Sequence, residues 1–171
     1  TQKVNENNIF WNSLPWWIVA KWYSLDENFD DILFRKTGIK WVYKEQLYTF
    51  WNPNRDNRGH VVAICYYALV RSDIFLTKVD FTKVDITKYS DLDSIKLFYD
   101  HNDIIKYAKQ RLEWKLEYTN IVNQILPNKF KMSQLQQVYE IITWKIYDKR
   151  NFQKKIFSLK ILKETWELDR S

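Results

Sequence analysis

Ser133-Gln134-Leu135-Gln136-Gln137-Val138-Tyr139-Glu140-Ile141-Ile142, followed after a short connector by Asp148-Lys149-Arg150-Asn151-Phe152-Gln153-Lys154-Lys155-Ile156-Phe157, is the stretch on which the fold turns. Ser133 with Gln136 has the spacing of a capping box, and Leu135, Val138, Tyr139 and Ile142 then recur on one helical face. Asp148 is suited to cap a second helix, with Phe152, Ile156 and Leu159 inward and Lys149, Arg150, Gln153 and Lys154 outward. The order helix, turn, basic helix is that of a helix-turn-helix, whose second helix needs an apolar face for its scaffold and a donor-rich face for the major groove. Arg150 and Asn151 are types that contact guanine and adenine bidentately, and Lys149, Lys154 and Lys155 suit phosphates. Gln153 completes the candidate set for DNA. The competing reading is an ordinary amphipathic basic surface helix. Ile161–Glu167 leaves room for a short hairpin, the wing of a winged helix.

Charge supports a polyanionic partner for this end of the chain. The net charge is +6, and residues 126–171 hold ten Lys and Arg against five Asp and Glu, whereas residues 1–125 hold seventeen against sixteen. With 46% hydrophobic and 18% aromatic residues in 171, there is material for one ordinary domain or two small ones. The lone Cys65 excludes a disulfide framework and reads as a small hydrophobe. No apolar run approaches the roughly 18 residues of a membrane span, and the polar start Thr1-Gln2-Lys3-Val4-Asn5 is unlike a signal peptide. Cytoplasm is the expected location, and no membrane partner is expected.

Upstream, strands and helices mix. Asp26–Lys36 has helical periodicity, with Leu25, Phe29, Ile32 and Leu33 on one face, Asp26, Asp30 and Arg35 on the other, and Gly38 as a stop. Gln46–Phe50 and Val61–Val70 read as strands, and Asn52-Pro53-Asn54-Arg55-Asp56-Asn57-Arg58-Gly59 between them reads as a loop. The near-repeat Thr77–Ile86 has a period of five, which suits neither helix nor strand, and is taken as strand and loop. Asn102 can cap a helix to about Tyr118, with a stripe of Ile105, Ala108, Leu112 and Leu116, and Pro127 marks a break.

Two sets of residues carry a resemblance. Gln46-Leu47-Tyr48-Thr49-Phe50, Asn52-Pro53-Asn54-Arg55-Asp56, Gly59 and Tyr67-Ala68-Leu69-Val70 resemble Nudix proteins of the ADP-ribose pyrophosphatase group. Asp100-His101, Lys115-Leu116-Glu117-Tyr118-Thr119, Ser133-Gln134-Leu135-Gln136, Val138-Tyr139-Glu140 and Asp148-Lys149-Arg150-Asn151-Phe152 resemble the Nudix-related transcriptional regulators of NAD metabolism. The resemblance implies an α+β chain: an incomplete Nudix α/β/α sandwich with a mixed sheet at 1–99, a linking helix at 100–124, and a winged helix-turn-helix at 125–171. About a dozen residues precede Leu14-Pro15, where the family has additional strands, so the first strands are expected to be missing.

A working Nudix box, G-x5-E-x7-R-E-U-x-E-E-x-G-U with U aliphatic, gathers glutamates that hold Mg²⁺ against a diphosphate. Anchored on Gly38-Ile39, its first glutamate falls on Tyr23, its Arg-Glu pair on Asp31-Ile32 and its Glu-Glu pair on Arg35-Lys36. Two cations in place of two carboxylates repel Mg²⁺, so no catalytic residue, metal or required cofactor is expected. Asp26, Glu27, Asp30 and Asp31 read as a solvated face. The regulator branch implies instead a domain that binds a nucleotide, ADP-ribose or a related NAD-derived effector, without consuming it. Arg55, Asp56 and Arg58 are the candidate ligand-binding residues, because Arg pairs bidentately with phosphates. A satisfied turn with exposed charges is the alternative for that loop.

Only two glycines accompany nine tryptophans, where ordinary usage would give about twelve glycines. Trp16, Trp17, Trp22, Trp51, Trp144 and Trp166 stand where the family pattern has glycine. The expectation is that the source reads UGA as glycine and that these six are glycine in the natural protein; genuine tryptophans in a divergent gene are the rival. At such positions tight turns or positive φ favour glycine. With the basic C-terminal helix, the resemblance thus implies a homodimeric regulator of NAD or sugar metabolism that binds double-stranded operator DNA under control of a nucleotide. A Nudix hydrolase of the ADP-ribose pyrophosphatase type and a non-catalytic interaction scaffold stay open.

Overall fold

The computed structural model describes residues 3–4, 10–11, 13–40, 42–79, 87–88, 91–160 and 162. Lys3–Val4 (β1) pairs antiparallel with Phe10–Trp11 (β2). Leu25–Thr37 (α1) opens on a reciprocal cap, with Ser24 Oγ accepting from Glu27 N at 3.2 Å and Glu27 Oε2 accepting from Ser24 N at 2.8 Å. Gly38 closes it in the left-handed region, φ 78°, its N–H donating to Phe34 O at 2.8 Å. The buried residue of α1 is Asn28 rather than a member of the expected apolar face, and its Oδ1 accepts from Ala20 N at 3.2 Å. That hydrogen bond makes the burial of a polar group tolerable.

Tyr43–Phe50 (β3) and Ala63–Leu69 (β4) form an antiparallel pair. Among the described residues all strand pairing is antiparallel, unlike the mixed sheet expected. The twelve-residue connection 51–62 carries no crossover helix, and a parallel neighbour requires one. The register shifts between Gln46 and Tyr48, which leaves Leu47 unpaired and only 3% exposed. β3 begins three residues before the expected strand because its charged residues find partners. Glu45 accepts from Tyr43 Oη at 2.5 Å, Tyr67 Oη at 2.9 Å and Lys115 Nζ at 2.9 Å. β4 is shorter than expected, with Val61 and Val62 left exposed in the preceding loop.

Ser72–Lys78 (α2) is a helix, so Thr77 and Lys78 end a helix where strand and loop were expected; residues 80–86 of that near-repeat lie outside the described residues. His101–Tyr118 (α3) follows. Asn102 does not cap it: Asp100 holds the cap position, and Asn102 turns back to accept from Leu97 N and donate to Ile95 O. A 3₁₀ turn, Ile121–Gln124, leads to Met132–Thr143 (α4) and Lys149–Ser158 (α5). Here too the cap shifts. α4 starts after Lys131, whose N–H donates to Gln134 Oε1 at 2.8 Å, so Ser133 lies inside the first turn. Asp148 caps α5 as expected, its Oδ1 accepting from Asn151 N at 3.0 Å. Leu159, expected inward, is exposed because α5 ends at Ser158. The expected wing, Ile161–Glu167, lies outside the described residues apart from Leu162.

One cluster unites Leu116, Ile121, Val122, Leu126, Leu135, Tyr139, Ile142, Phe152 and Ile156, with Tyr43, Tyr67 and Leu69 of the β3–β4 hairpin packed against it. Each of its large side chains contributes about 1.5–3 kcal/mol by leaving water. Tyr139 Oη donates to Leu116 O at 3.1 Å and Ser72 N to Ile125 O at 3.0 Å, so α4 and the 3₁₀ region are tied to what precedes them. No helix among the described residues is long and apolar enough to cross a membrane.

Candidate functional site

α5 separates its two faces sharply. Phe152 is 2% exposed and Ile156 0%, whereas Lys149, Arg150, Asn151, Lys154 and Lys155 are exposed and Gln153 is half-buried. The face directed to solvent is therefore rich in donors. Its N-terminal turn carries Lys149 and Arg150, and the partial positive charge of a helix N-terminus adds to theirs. The connection from α4 is held by side chains. Gln136 Nε2 donates to Tyr147 O at 2.8 Å and to Glu140 Oε1 at 2.9 Å, and Tyr147 N donates to Glu140 Oε1 at 3.1 Å. The bonds from Gln136 Nε2 and from Tyr147 N to its Oε1 hold the Glu140 carboxyl below the usual carboxylate range.

The candidate ligand residues fall into two ion pairs. Arg55 pairs bidentately with Asp100 through one guanidinium edge, its Nε and Nη2 donating at 2.8 and 2.7 Å, and its side chain is only 6% exposed. Asp56 is buried and receives Arg58 on both carboxylate oxygens, at 2.9 and 2.7 Å. Hydrogen bonds from Arg58 are the largest cause that brings the Asp56 carboxyl down to about 2. The Arg58 side chain is 53% exposed and lies between the rings of Trp16, 5.3 Å away, and Tyr99, 5.0 Å away. Arg58 is thus the member of the set open to an incoming anion, while Arg55 and Asp56 brace the loop. Nearby, His101 is buried and its Nδ1 accepts from Leu14 N at 3.1 Å. Burial keeps that imidazole below its usual pKa, which suits the neutral acceptor this bond needs.

The positions aligned with the Nudix box lie along α1 and the segment before it. Tyr23 is exposed, Asp31 pairs with Arg35 one turn on, and an open groove of about 280 Å³ is lined by Asp30, Asp31, Leu33, Phe34, Ile39 and Lys40. Among the described residues no three His, Cys, Asp or Glu side chains are grouped so as to hold a metal ion. Cys65 is half-buried, and burial pushes its thiol up to about 11, as an inert packing residue requires. The Arg55–Asp100 pair, the Glu45 hub and the closure of Gln136 and Glu140 on Tyr147 leave no mark in the sequence: apart from Gln136 and Glu140, one helical turn apart, and Tyr43 and Glu45, on one strand face, only tertiary packing brings these groups together.

Residues 122–171 match the family model of the NrtR DNA-binding winged helix domain. Over 137 residues the chain is 31% identical to the "ADPR responsive transcriptional repressor NtrR" of Acinetobacter baylyi, covering 78% of this chain and 54% of the relative. The chain thus spans about half the length of that curated relative. A crystal structure of Shewanella oneidensis NrtR complexed with a 27mer DNA superposes with a TM-score of 0.78 at 26% identity, covering 99% of this chain and 80% of that one. A MutT/nudix family protein from Enterococcus faecalis shares the fold, with a TM-score of 0.65 at 21% identity over 82% of this chain and 65% of that one. The chain accordingly has the NrtR fold, a Nudix-like part followed by an NrtR-type winged helix domain.

Proposed function

We propose that this chain is a transcriptional repressor that binds double-stranded operator DNA through α5 and responds to ADP-ribose or a related nucleotide held by its Nudix-like part. The observation that carries the reading is the division of α5. Its buried side is among the most enclosed in the molecule, and its exposed Lys149, Arg150, Asn151, Lys154 and Lys155 have no ion-pair partner among the described residues. Donors left unpaired on a rigid helix are what phosphates and base edges require. The repressor relative is ADPR responsive and the Shewanella structure holds DNA, which supports both halves of the proposal.

In this reading the work divides along 1–99 for sensing, 100–124 for linkage and 125–171 for DNA. Arg58, already desolvated on one side by Asp56 and flanked by aromatic rings, meets the nucleotide's phosphates, and Arg55 and Asp56 fix the loop that presents it. Gln153 and the five exposed side chains of α5 form the DNA-facing set. The nucleotide is an effector and not a substrate, because Arg35 and Lys36 occupy the box positions that must hold Mg²⁺. A homodimer in the cytoplasm presents two such helices to paired half-sites, with no other cofactor.

The test is binding of the full-length protein to duplex DNA from its own upstream region, at fixed physiological salt, with and without ADP-ribose. Sequence-specific binding that changes with ADP-ribose is the expected result. No specific binding would sink the reading, and Mg²⁺-dependent hydrolysis of ADP-ribose would replace the effector role by an enzymatic one.

A further inference from the structure

The connection between α4 and α5 contains neither helix nor strand, yet it decides where α5 points. Five residues, Trp144 to Asp148, separate the two helices, and Tyr147 immediately precedes the Asp148 cap. Both backbone polar groups of Tyr147 are taken by side chains of α4: its N–H by Glu140 Oε1 at 3.1 Å and its carbonyl by Gln136 Nε2 at 2.8 Å. Gln136 and Glu140 lie one turn apart and are bonded to each other at 2.9 Å, so the two contacts form one closed unit. The ring of Tyr147 packs 5.4 Å from Phe152 and 6.4 Å from Tyr139, and its hydroxyl lies 3.1 Å from Thr143 Oγ1. Tyr147 is thus fixed at backbone, ring and hydroxyl.

We propose that Gln136 and Glu140 are positioning residues for the DNA-reading helix: by clamping the backbone of Tyr147 they set the direction of α5, and with it base discrimination, without touching DNA. The inference rests on the DNA-binding reading above. Phosphate attraction tolerates small rotations of a basic helix, because ionic contacts fall off gradually and long Lys side chains adjust. Bidentate contact from Arg150 or Asn151 to a base edge does not tolerate them. Loosening the clamp should therefore reduce specific binding while sparing non-specific binding.

The full-length protein and its Glu140→Leu and Glu140→Gln variants would be compared on two duplexes, one selected by the unsubstituted protein from a randomised pool and one scrambled from it. Glu140→Leu removes the acceptor for Tyr147 N–H, whereas the amide oxygen introduced by Glu140→Gln can still accept from both Tyr147 N and Gln136. The expected result is a loss of at least about tenfold on the selected duplex for Glu140→Leu, the scale of one lost base contact. Affinity for the scrambled duplex should change by less than about twofold, and Glu140→Gln should retain specific binding. Hydrogen exchange at the Tyr147 amide supplies a second readout: protected in the unsubstituted protein and in Glu140→Gln, exchanging faster in Glu140→Leu. If Glu140→Leu does not fold, Gln136→Met, which frees the Tyr147 carbonyl and removes the bond to Glu140 but leaves Glu140 to accept from Tyr147 N–H, carries the same expectation for the two duplexes. Undiminished discrimination in the folded variant, or equal loss on both duplexes, overturns the clamp. An unsubstituted protein that selects no duplex overturns the DNA-binding reading itself, a result distinct from either.

Discussion

Trp22 and Trp144 hold φ angles of 75° and 56°, in the left-handed region. For an L-residue that region costs about 1–2 kcal/mol, because Cβ approaches the following carbonyl. Neither indole recovers the cost by burial: Trp22 is 89% exposed and Trp144 is 55% exposed. Trp144 ends α4 at the left-handed cap position that most often belongs to glycine. Trp17 and Trp51 are likewise more than half exposed, and Trp16 stands over Arg58 at the proposed ligand loop. Two of the six positions expected to be glycine therefore have backbones that suit glycine. Trp22→Gly and Trp144→Gly should each raise stability by about 0.5–1 kcal/mol, the relief of the left-handed strain less the entropy glycine loses on folding. Thermal unfolding measures this, and a fall in melting temperature for both would show that the indoles contribute packing and are native. UGG codons at these positions would point the same way.

On the scale of elements, α5 should respond to substitution in two distinct ways. Arg150→Ala should relax base preference at one position of the bound site, costing about 1–3 kcal/mol on the selected duplex, and Lys154→Ala should weaken binding to all duplexes alike and lower the salt slope by about one. Binding titrations at several salt concentrations separate the two, and identical behaviour of both variants would make α5 a plain basic surface. The helix itself was legible from the sequence because Phe152 and Ile156 repeat at helical spacing and Asp148 is a strong cap. α1 and the interior of α4 were legible from helical spacing alone, although α1 buries Asn28 and not its expected face. The start of α4 was not: Lys131 is no usual cap residue, and the side chain that satisfies its N–H comes from Gln134. α2 was missed because seven residues are too few for periodicity to show. The proposed ligand loop was legible as a loop, but the partner of Arg55 was not, since Asp100 lies 45 residues away and only tertiary packing brings the two together.

On the scale of the whole molecule, no separate core among the described residues divides α4 and α5 from what precedes them. Leu116 on α3, with Ile121 and Val122 of the 3₁₀ turn, shares a cluster with α4 and α5, and Tyr43, Tyr67 and Leu69 of the hairpin lie against it. Polar ties run the same way. Glu45 on β3 accepts from Lys115 on α3, and the carbonyl of the next residue, Leu116, accepts from Tyr139 on α4. In the proposed regulator, a ligand that reordered the hairpin would therefore act on α4 and α5 through packed side chains and not through a flexible linker. Such a shared core unfolds cooperatively, because breaking it exposes apolar surface on both sides at once. Leu116→Ala, at a side chain only 2% exposed, should cost about 2–5 kcal/mol. Hydrogen exchange should then show protection falling together in β4 and in α4. If only α4 and α5 lose protection and β4 keeps its own, the two parts unfold independently, and the effect of a nucleotide on DNA binding must travel by another route.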